Sequence, residues 1–212
     1  MTTNWKLGIV GAALTLAACS SGRLVQVPPR VDLAAMGTIG MVEFRSPEGS
    51  AELSRQANRQ FLTEIQSAQP GVPVLELGDE ARVLGGVSAR TLDPETVRAI
   101  GEKHRVDTLL FGVLSAKEVK PKVSIGGGLE SLKAKAEIEG TLTAKMYDTR
   151  TGATLWTCAT ADKRTIAALS VSGGGLSGGG TADTDGARSD LFQALVFQAT
   201  GDFRPSWMRV KE

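Results

Sequence analysis

The stretch Leu132–Met146, LKAKAEIEGTLTAKM, decides the fold class of this 212-residue chain. Leu132, Ala134, Ala136, Ile138, Gly140, Leu142, Ala144 and Met146 alternate with Lys133, Lys135, Glu137, Glu139, Thr141, Thr143 and Lys145. Successive side chains of a strand point to opposite faces, so a period of two predicts a long strand with one face on a core and one in water. The segment before it has the same period, with Val119, Pro121, Val123 and Ile125 alternating with Glu118, Lys120, Lys122 and Ser124. A GGGLES turn joins the two, which predicts a long antiparallel hairpin. Lys120 and Lys122 then lie across from Glu137 and Glu139 within about one register step, as opposite-charge cross-strand pairs. These four residues form the candidate partner surface, although such a charged face is ordinarily just solvated.

Working outward, DTLLFGVLSA (107–116) is a continuous apolar run of the kind buried on both faces of a sheet. On the C-terminal side, DTRTG (148–152) is a tight turn into a further strand, ATLWTCATADKRT. Towards the N-terminus, TIGMVEF (38–44) and PVLEL (73–77) are short strand candidates. Ser50 can cap a helix through about Ser67, in which Leu53, Ala57, Phe61 and Ile65 recur every four residues. Asp93-Pro94-Glu95 starts a second helix that ends near Arg105, with Val97, Ile100 and His104 along one side. A last helix spans about Ala187 to Thr200, with Leu191, Phe192, Leu195, Val196 and Ala199 on its apolar face. Phe203, Pro205 and Trp207 are expected to dock the C-terminal segment. The elements describe an α/β (α+β) domain of three layers: a mixed, largely antiparallel sheet, about three flanking helices and one long β-hairpin.

The N-terminus carries an address. Met1–Lys6 is short and polar with one positive charge, and LGIVGAALTLAA (7–18) is uncharged. That is the layout of a secretory signal peptide, and twelve apolar residues fall short of the roughly twenty that a spanning helix needs. Leu16-Ala17-Ala18-Cys19 resembles the bacterial lipoprotein cleavage box, which implies cleavage between Ala18 and Cys19, a diacylglyceryl group on the thiol and acylation, palmitate being the expected chain, of the new amino terminus. Two or more acyl chains hold a protein stably on a membrane. Ser20 stands where an aspartate would, by the same resemblance, imply inner-membrane retention, so the periplasmic face of the outer membrane is the expected location. The expected organisation is a signal peptide (1–18), a lipidated N-terminus with an extended tether (19–37) and a single domain (38–212).

Composition narrows the function. Loss of residues 1–18 removes Lys6 and no acid, leaving 23 basic and 23 acidic residues, so a broad basic field for nucleic acid is not expected. With Cys19 acylated, Cys158 has no disulfide partner in its own chain, since the chain has two cysteines, and it is expected to be a buried, unreactive thiol. A single histidine, His104, and no carboxylate cluster at ligand spacing imply no metal site. Seven glycines crowd residues 170–186, predicting a mobile loop. Within it Gly173, Gly175 and Gly178 fit a dinucleotide pattern, and Gly175, Ser177 and Gly179 a hydrolase elbow. The first lacks a βαβ context, and the second lacks a histidine after the serine. Neither a catalytic constellation nor a cofactor beyond the covalent lipid is expected.

Two motifs carry a wider resemblance. Ile100-Gly101 through Asp107 to Gly112, and Tyr147-Asp148 through Thr151-Gly152 to Trp156, together with the order of elements over residues 38–205, resemble the lipoprotein superfamily that includes the curli-secretion channel CsgG and the penicillin-binding-protein activator LpoB. The resemblance implies a non-enzymatic module that meets envelope proteins, such as a peptidoglycan synthase or a secretion component, with homo-oligomers a further expectation. It also offers the alternative of a pore subunit contributing two amphipathic hairpins to a shared barrel. Ser115–Met146 could serve as the first. The second would need LSGGGTADTDG as its return strand, a run poor in apolar alternation where 9 to 11 spanning residues are required. An accessory, assembly or partner-activating role is therefore the expectation.

Overall fold

A computed structural model describes residues 23–47, 51–125, 131–172, 175–179 and 184–210. Among these, eight strands and four α-helices form in the order β1 (Arg23–Val27), β2 (Ile39–Val42), α1 (Ala51–Ala68), β3 (Val74–Gly78), α2 (Glu80–Gly86), α3 (Pro94–His104), β4 (Thr108–Ile125), β5 (Ser131–Asp148), β6 (Thr154–Ser172), β7 (Gly175–Gly179), α4 (Thr184–Ala199) and β8 (Ser206–Val210). The main sheet has six strands in the order β3-β2-β4-β5-β6-β7. β2 is parallel to both β3 and β4, and every later pairing is antiparallel. Helices cover both faces, so the domain has the expected three layers, with a mixed and largely antiparallel sheet.

The two faces are covered unequally, and that explains the two hydrophobic patterns. On one face α1 and α4 pack along the sheet, burying Phe61, Ile65, Leu191 and Leu195 against Met41, Leu110, Leu142 and Met146. Phe61 stacks edge-on against Phe44 at 5.1 Å between ring centroids and meets Phe203 at 6.3 Å. On the other face α2 and α3 reach β2, β3 and the start of β4, where Val83, Val97 and Ile100 meet Val42, Leu77 and Leu109. The start of β4 is thus enclosed from both sides, and Thr108, Leu109 and Leu110 are all buried. By contrast, β5 is covered on one face: Ile138, Leu142, Ala144 and Met146 are buried while Thr141, Thr143 and Lys145 are exposed.

Local chemistry sets the helix boundaries. Asp93 caps α3 by accepting the Thr96 amide at 2.8 Å, with Pro94 in the first turn; Arg105 ends it in a left-handed conformation. Asp79 caps α2 in the same way through the Arg82 amide at 2.8 Å. This seven-residue helix is absent from the sequence expectations, because EARVLGG is too short to display a helical period.

Three expectations are corrected. The segment from Ser20 to Gly37 is not a tether throughout: Arg23–Val27 is a strand paired antiparallel with β8, and Leu33 is fully buried. Trp207 does not dock the C-terminal segment, since it is 65% exposed on β8; Phe203 does, at full burial. The glycine-rich stretch is not wholly loop, because Gly175–Gly179 pairs with Ala168–Ser172 and Thr184 already belongs to α4.

Candidate functional site

Of the residues singled out from sequence, Leu16, Ala17, Ala18 and Cys19 lie outside the described residues, as do Ser50 and most of the GGGLES turn. The hairpin between β4 and β5 is present, with register running from Thr108 opposite Asp148 to Ile125 opposite Leu132. Its strands are 18 residues each, about 60 Å when extended.

The charge pairing on this hairpin differs from expectation by a bulge. Lys117 stands opposite Glu139, Val119 opposite Glu137 and Lys122 opposite Lys135, with an irregularity between Val119 and Lys122. Pro121 sits in that irregularity, where a residue without an amide hydrogen costs no ladder bond. Lys120 falls within the irregularity and has no register partner, while Lys122 stands opposite Lys135; side-chain placement at both lysines lies outside what is described. Glu139 finds its partner on the other neighbour: Lys163 of β6 is opposite in register and donates to its carboxylate. That hydrogen bond, reinforced by the Glu139 charge and then by Glu137, raises the Lys163 pKa. The candidate surface is thus a three-strand row, Lys117–Glu139–Lys163, rather than a two-strand patch. Lys163 was missed because its strand partner cannot be read without the register of β6.

The motif residues that carry the family resemblance turn out to hold the fold together. Asp107 accepts the Thr38 amide at 2.8 Å, and its carbonyl receives the Thr149 amide at 3.0 Å. Thr149 also donates its hydroxyl to the Val106 carbonyl at 2.6 Å. Gly101 lets α3 approach this turn, since a Cβ there would come within 2.2 Å of the Thr149 Cβ. Gly112 likewise leaves room for the Phe44 ring, which a Cβ would meet at 1.9 Å. In the DTRTG turn, burial opposes ionisation of Asp148, but the Arg150 and Thr151 amides at 2.7 and 3.2 Å outweigh it and keep the carboxyl below its usual range. These residues weld α3, β4 and the β5–β6 turn into one unit, so their spacing reports packing.

Trp156 is buried, tilts against Phe203 at 4.9 Å and donates from Nε1 to Asp202 at 3.1 Å. Cys158, two residues on, is half-buried beside this core; burial, and secondarily the Asp202 carboxylate, push its thiol pKa up. That favours the thiol over the thiolate, on a side chain half-buried rather than buried as expected. His104 is half-buried in the last turn of α3. Among the described residues no three His, Cys, Asp or Glu side chains cluster as metal ligands. Ser177 lies within β7 opposite Ser170, whereas a hydrolase elbow needs a sharp turn from strand to helix.

Two open clefts flank the ends of the parallel strands. One, of about 470 Å³, lies past the ends of β2 and β3 and is lined by Glu43, Arg45, Ser54, Asp79 and Glu80; Arg45 is held there by Glu80 at 3.4 Å. The other, of about 760 Å³, lies at the opposite end beside Arg30, Asp32, Asp107 and Asp148. The N-terminal segment enters at this second end: Thr108 donates its hydroxyl to the Met36 carbonyl at 2.8 Å.

No protein-family model matches the chain, and no curated protein sequence matches it significantly. Among solved structures, it is similar to a neuraminyllactose-binding hemagglutinin homolog from Helicobacter pylori at 10% identity and a TM-score of 0.49, over 78% of this chain and 84% of that one. It is also similar to a PelC dodecamer from Paraburkholderia phytofirmans at 12% identity and a TM-score of 0.45, over 86% and 99%. The LpoB C-terminal domain from Salmonella enterica follows at 13% identity and a TM-score of 0.33, over 64% and 84%. Such identities and superpositions leave the functional argument to the chain's own residues.

Proposed function

We propose that this chain is a lipid-anchored envelope lipoprotein of the periplasmic face of the outer membrane, acting by protein contact rather than by turnover. The observation that carries the reading is the Leu16-Ala17-Ala18-Cys19 box after a charged start and a twelve-residue apolar run. The lipid on Cys19 is the single non-protein group the reading requires. Among the described residues no helix is long and apolar enough to cross a membrane, so on this reading attachment through helices is not called upon.

The contact surface we assign is the charged row on the long hairpin, with Lys120, Lys122, Glu137 and Glu139 extended by Lys117 and Lys163. The N-terminal segment meets β4 at Thr108, and the described β4–β5 pairing runs on to Ile125 opposite Leu132, which favours a hairpin that extends from the anchored end towards an envelope partner. A pore subunit is the alternative. β4 and β5 are long enough for one spanning hairpin, but the return leg of a second would be LSGGGTADTDG (176–186), which lacks the apolar alternation that a spanning strand of about 9 to 11 residues needs. An accessory or partner-activating role is favoured for that reason.

Intact mass of the membrane-extracted chain tests the anchor: the reading expects loss of residues 1–18 and gain of acyl mass, both abolished by Cys19→Ser. Photocrosslinking in cells from positions 120 and 139 tests the surface. Capture of an envelope protein supports the role, adducts between copies alone redirect it to self-assembly, and ring-shaped particles that conduct ions in planar bilayers would favour the pore.

A further inference from the structure

β1 and β8 form a two-stranded ribbon separate from the main sheet, and its apolar side chains meet water. Leu24, Val25, Trp207, Met208 and Val210 are 40–65% exposed, and they make up five of the eight large exposed hydrophobic residues among those described. The register places Leu24, Gln26, Trp207 and Arg209 on one face and Arg23, Val25, Met208 and Val210 on the other. Both faces therefore carry exposed apolar side chains, Leu24 and Trp207 on one and Val25, Met208 and Val210 on the other. A two-stranded ribbon alone is marginally stable in water, and clustered exposed hydrophobic residues mark a contact surface. Its base is fixed: the Gln69 side-chain amide donates to the Val31 carbonyl at 2.7 Å and the Phe203 carbonyl at 3.0 Å, and Arg30 pairs with Asp202 at 3.2 Å.

We infer that this ribbon lies in the headgroup layer of the bilayer that holds the chain, a step that rests on the Cys19 anchor proposed above. Three observations select lipid over another occupant. The first is reach: four residue steps separate Cys19 from Arg23, at most about 14 Å of chain, so the ribbon of an anchored chain starts within a headgroup's depth or two of the membrane surface. The second is two-sidedness, because a protein docked on one face would leave the other in water, whereas a surrounding medium covers both. The third is charge. The ribbon's ten residues include Arg23 and Arg209 and no acid, and both arginines lie at its free end, where guanidinium groups match lipid phosphates. Trp207, two residues from Arg209, then lies at the headgroup interface that tryptophan favours.

The test uses the full acylated chain in vesicles of phosphatidylethanolamine and phosphatidylglycerol, some with brominated acyl chains. Subtracting the emission of a Trp207→Phe variant isolates Trp207 from Trp156. The inference expects Trp207 emission to shift to the blue on vesicles and to be quenched by the brominated lipid, with Trp156 unaffected. In addition, the unacylated chain of residues 20–212, made without the signal segment, should cosediment weakly with the same vesicles, and replacing Leu24 and Met208 together by Ser should abolish that remaining binding. Unquenched Trp207 in a chain whose mass shows the acyl groups overturns the ribbon inference and leaves the anchor standing. A chain that carries no acyl group overturns both. Trp207 that becomes buried with rising protein concentration, unquenched by lipid, assigns the ribbon to a second copy of the chain and also overturns the inference.

Discussion

Leu142 on β5 and Leu24 on β1 are both leucines in antiparallel strands, yet the first is fully buried and the second is 57% exposed. The same contrast separates the strands they belong to. On β5, Ile138, Leu142, Ala144 and Met146 are buried in one core with residues of α1 and α4, and the alternation of the sequence is accounted for within the chain. On the β1–β8 ribbon, apolar residues occupy both faces and pack on nothing comparable. Burial explains why β5 is apolar; on the ribbon the explanation has to come from outside the chain. The comparison teaches where the chain's own packing stops and its surroundings begin.

The contrast breaks most sharply under truncation of the core. Leu142→Ala should cost about 2–5 kcal/mol in urea unfolding of the chain, because the α4-side core cannot collapse onto the space left. Next in size is Gly101→Val, where the added side chain must displace Thr149 or lift α3; overpacking of this kind costs about 1–3 kcal/mol, read from the same unfolding curves. A smaller value there would mean that the α3–turn weld is looser than the geometry implies.

A third prediction concerns acid. The Thr96 amide, and then its hydroxyl, hold the Asp93 carboxyl below its ordinary value. A carboxyl lowered on folding contributes stability that is present above its unfolded pKa of about 3.9 and is lost as pH falls through the lowered folded value. Thermal midpoints measured from neutral pH downwards should therefore fall less steeply in Asp93→Asn than in the parent chain. Equal slopes would remove Asp93 from the account of α3. The smallest expected effect sharpens the opening contrast: Leu24→Ala should change stability by less than about 0.5 kcal/mol, the usual range for exposed sites, while lowering vesicle binding of the unacylated chain.

Much of the fold was legible because packing wrote it into the sequence. Period two marks β5 since one face is covered; the unbroken run at Thr108–Leu114 marks β4 since both are. Asp93-Pro94 announces α3 through its cap. What was illegible has equally physical reasons. Val25 of β1 is opposite Met208 of β8, nearly the whole domain apart, so RLVQV next to two prolines carries no local sign of pairing. β7 is held by backbone pairing in a glycine-rich run, which a reading of side-chain periods passes over. The expected register of the hairpin charges differs from the one found, because the bulge at Pro121 shifts register by one and brings Lys122 to Lys135; Lys163, the partner of Glu139, sits on a strand whose register no local motif announces. The motifs at Gly101, Asp107, Gly112 and Asp148 were visible as a resemblance, and the structure assigns them to packing.

Hydrogen exchange of the amides of β1 and β8 tests the central claim most directly, comparing the acylated chain on vesicles with the unacylated chain of residues 20–212 in solution. The account predicts slower exchange across Arg23–Val27 and Ser206–Val210 on the membrane, with exchange in the core half of β5 unchanged. Equal exchange of the ribbon in the two states would contradict it.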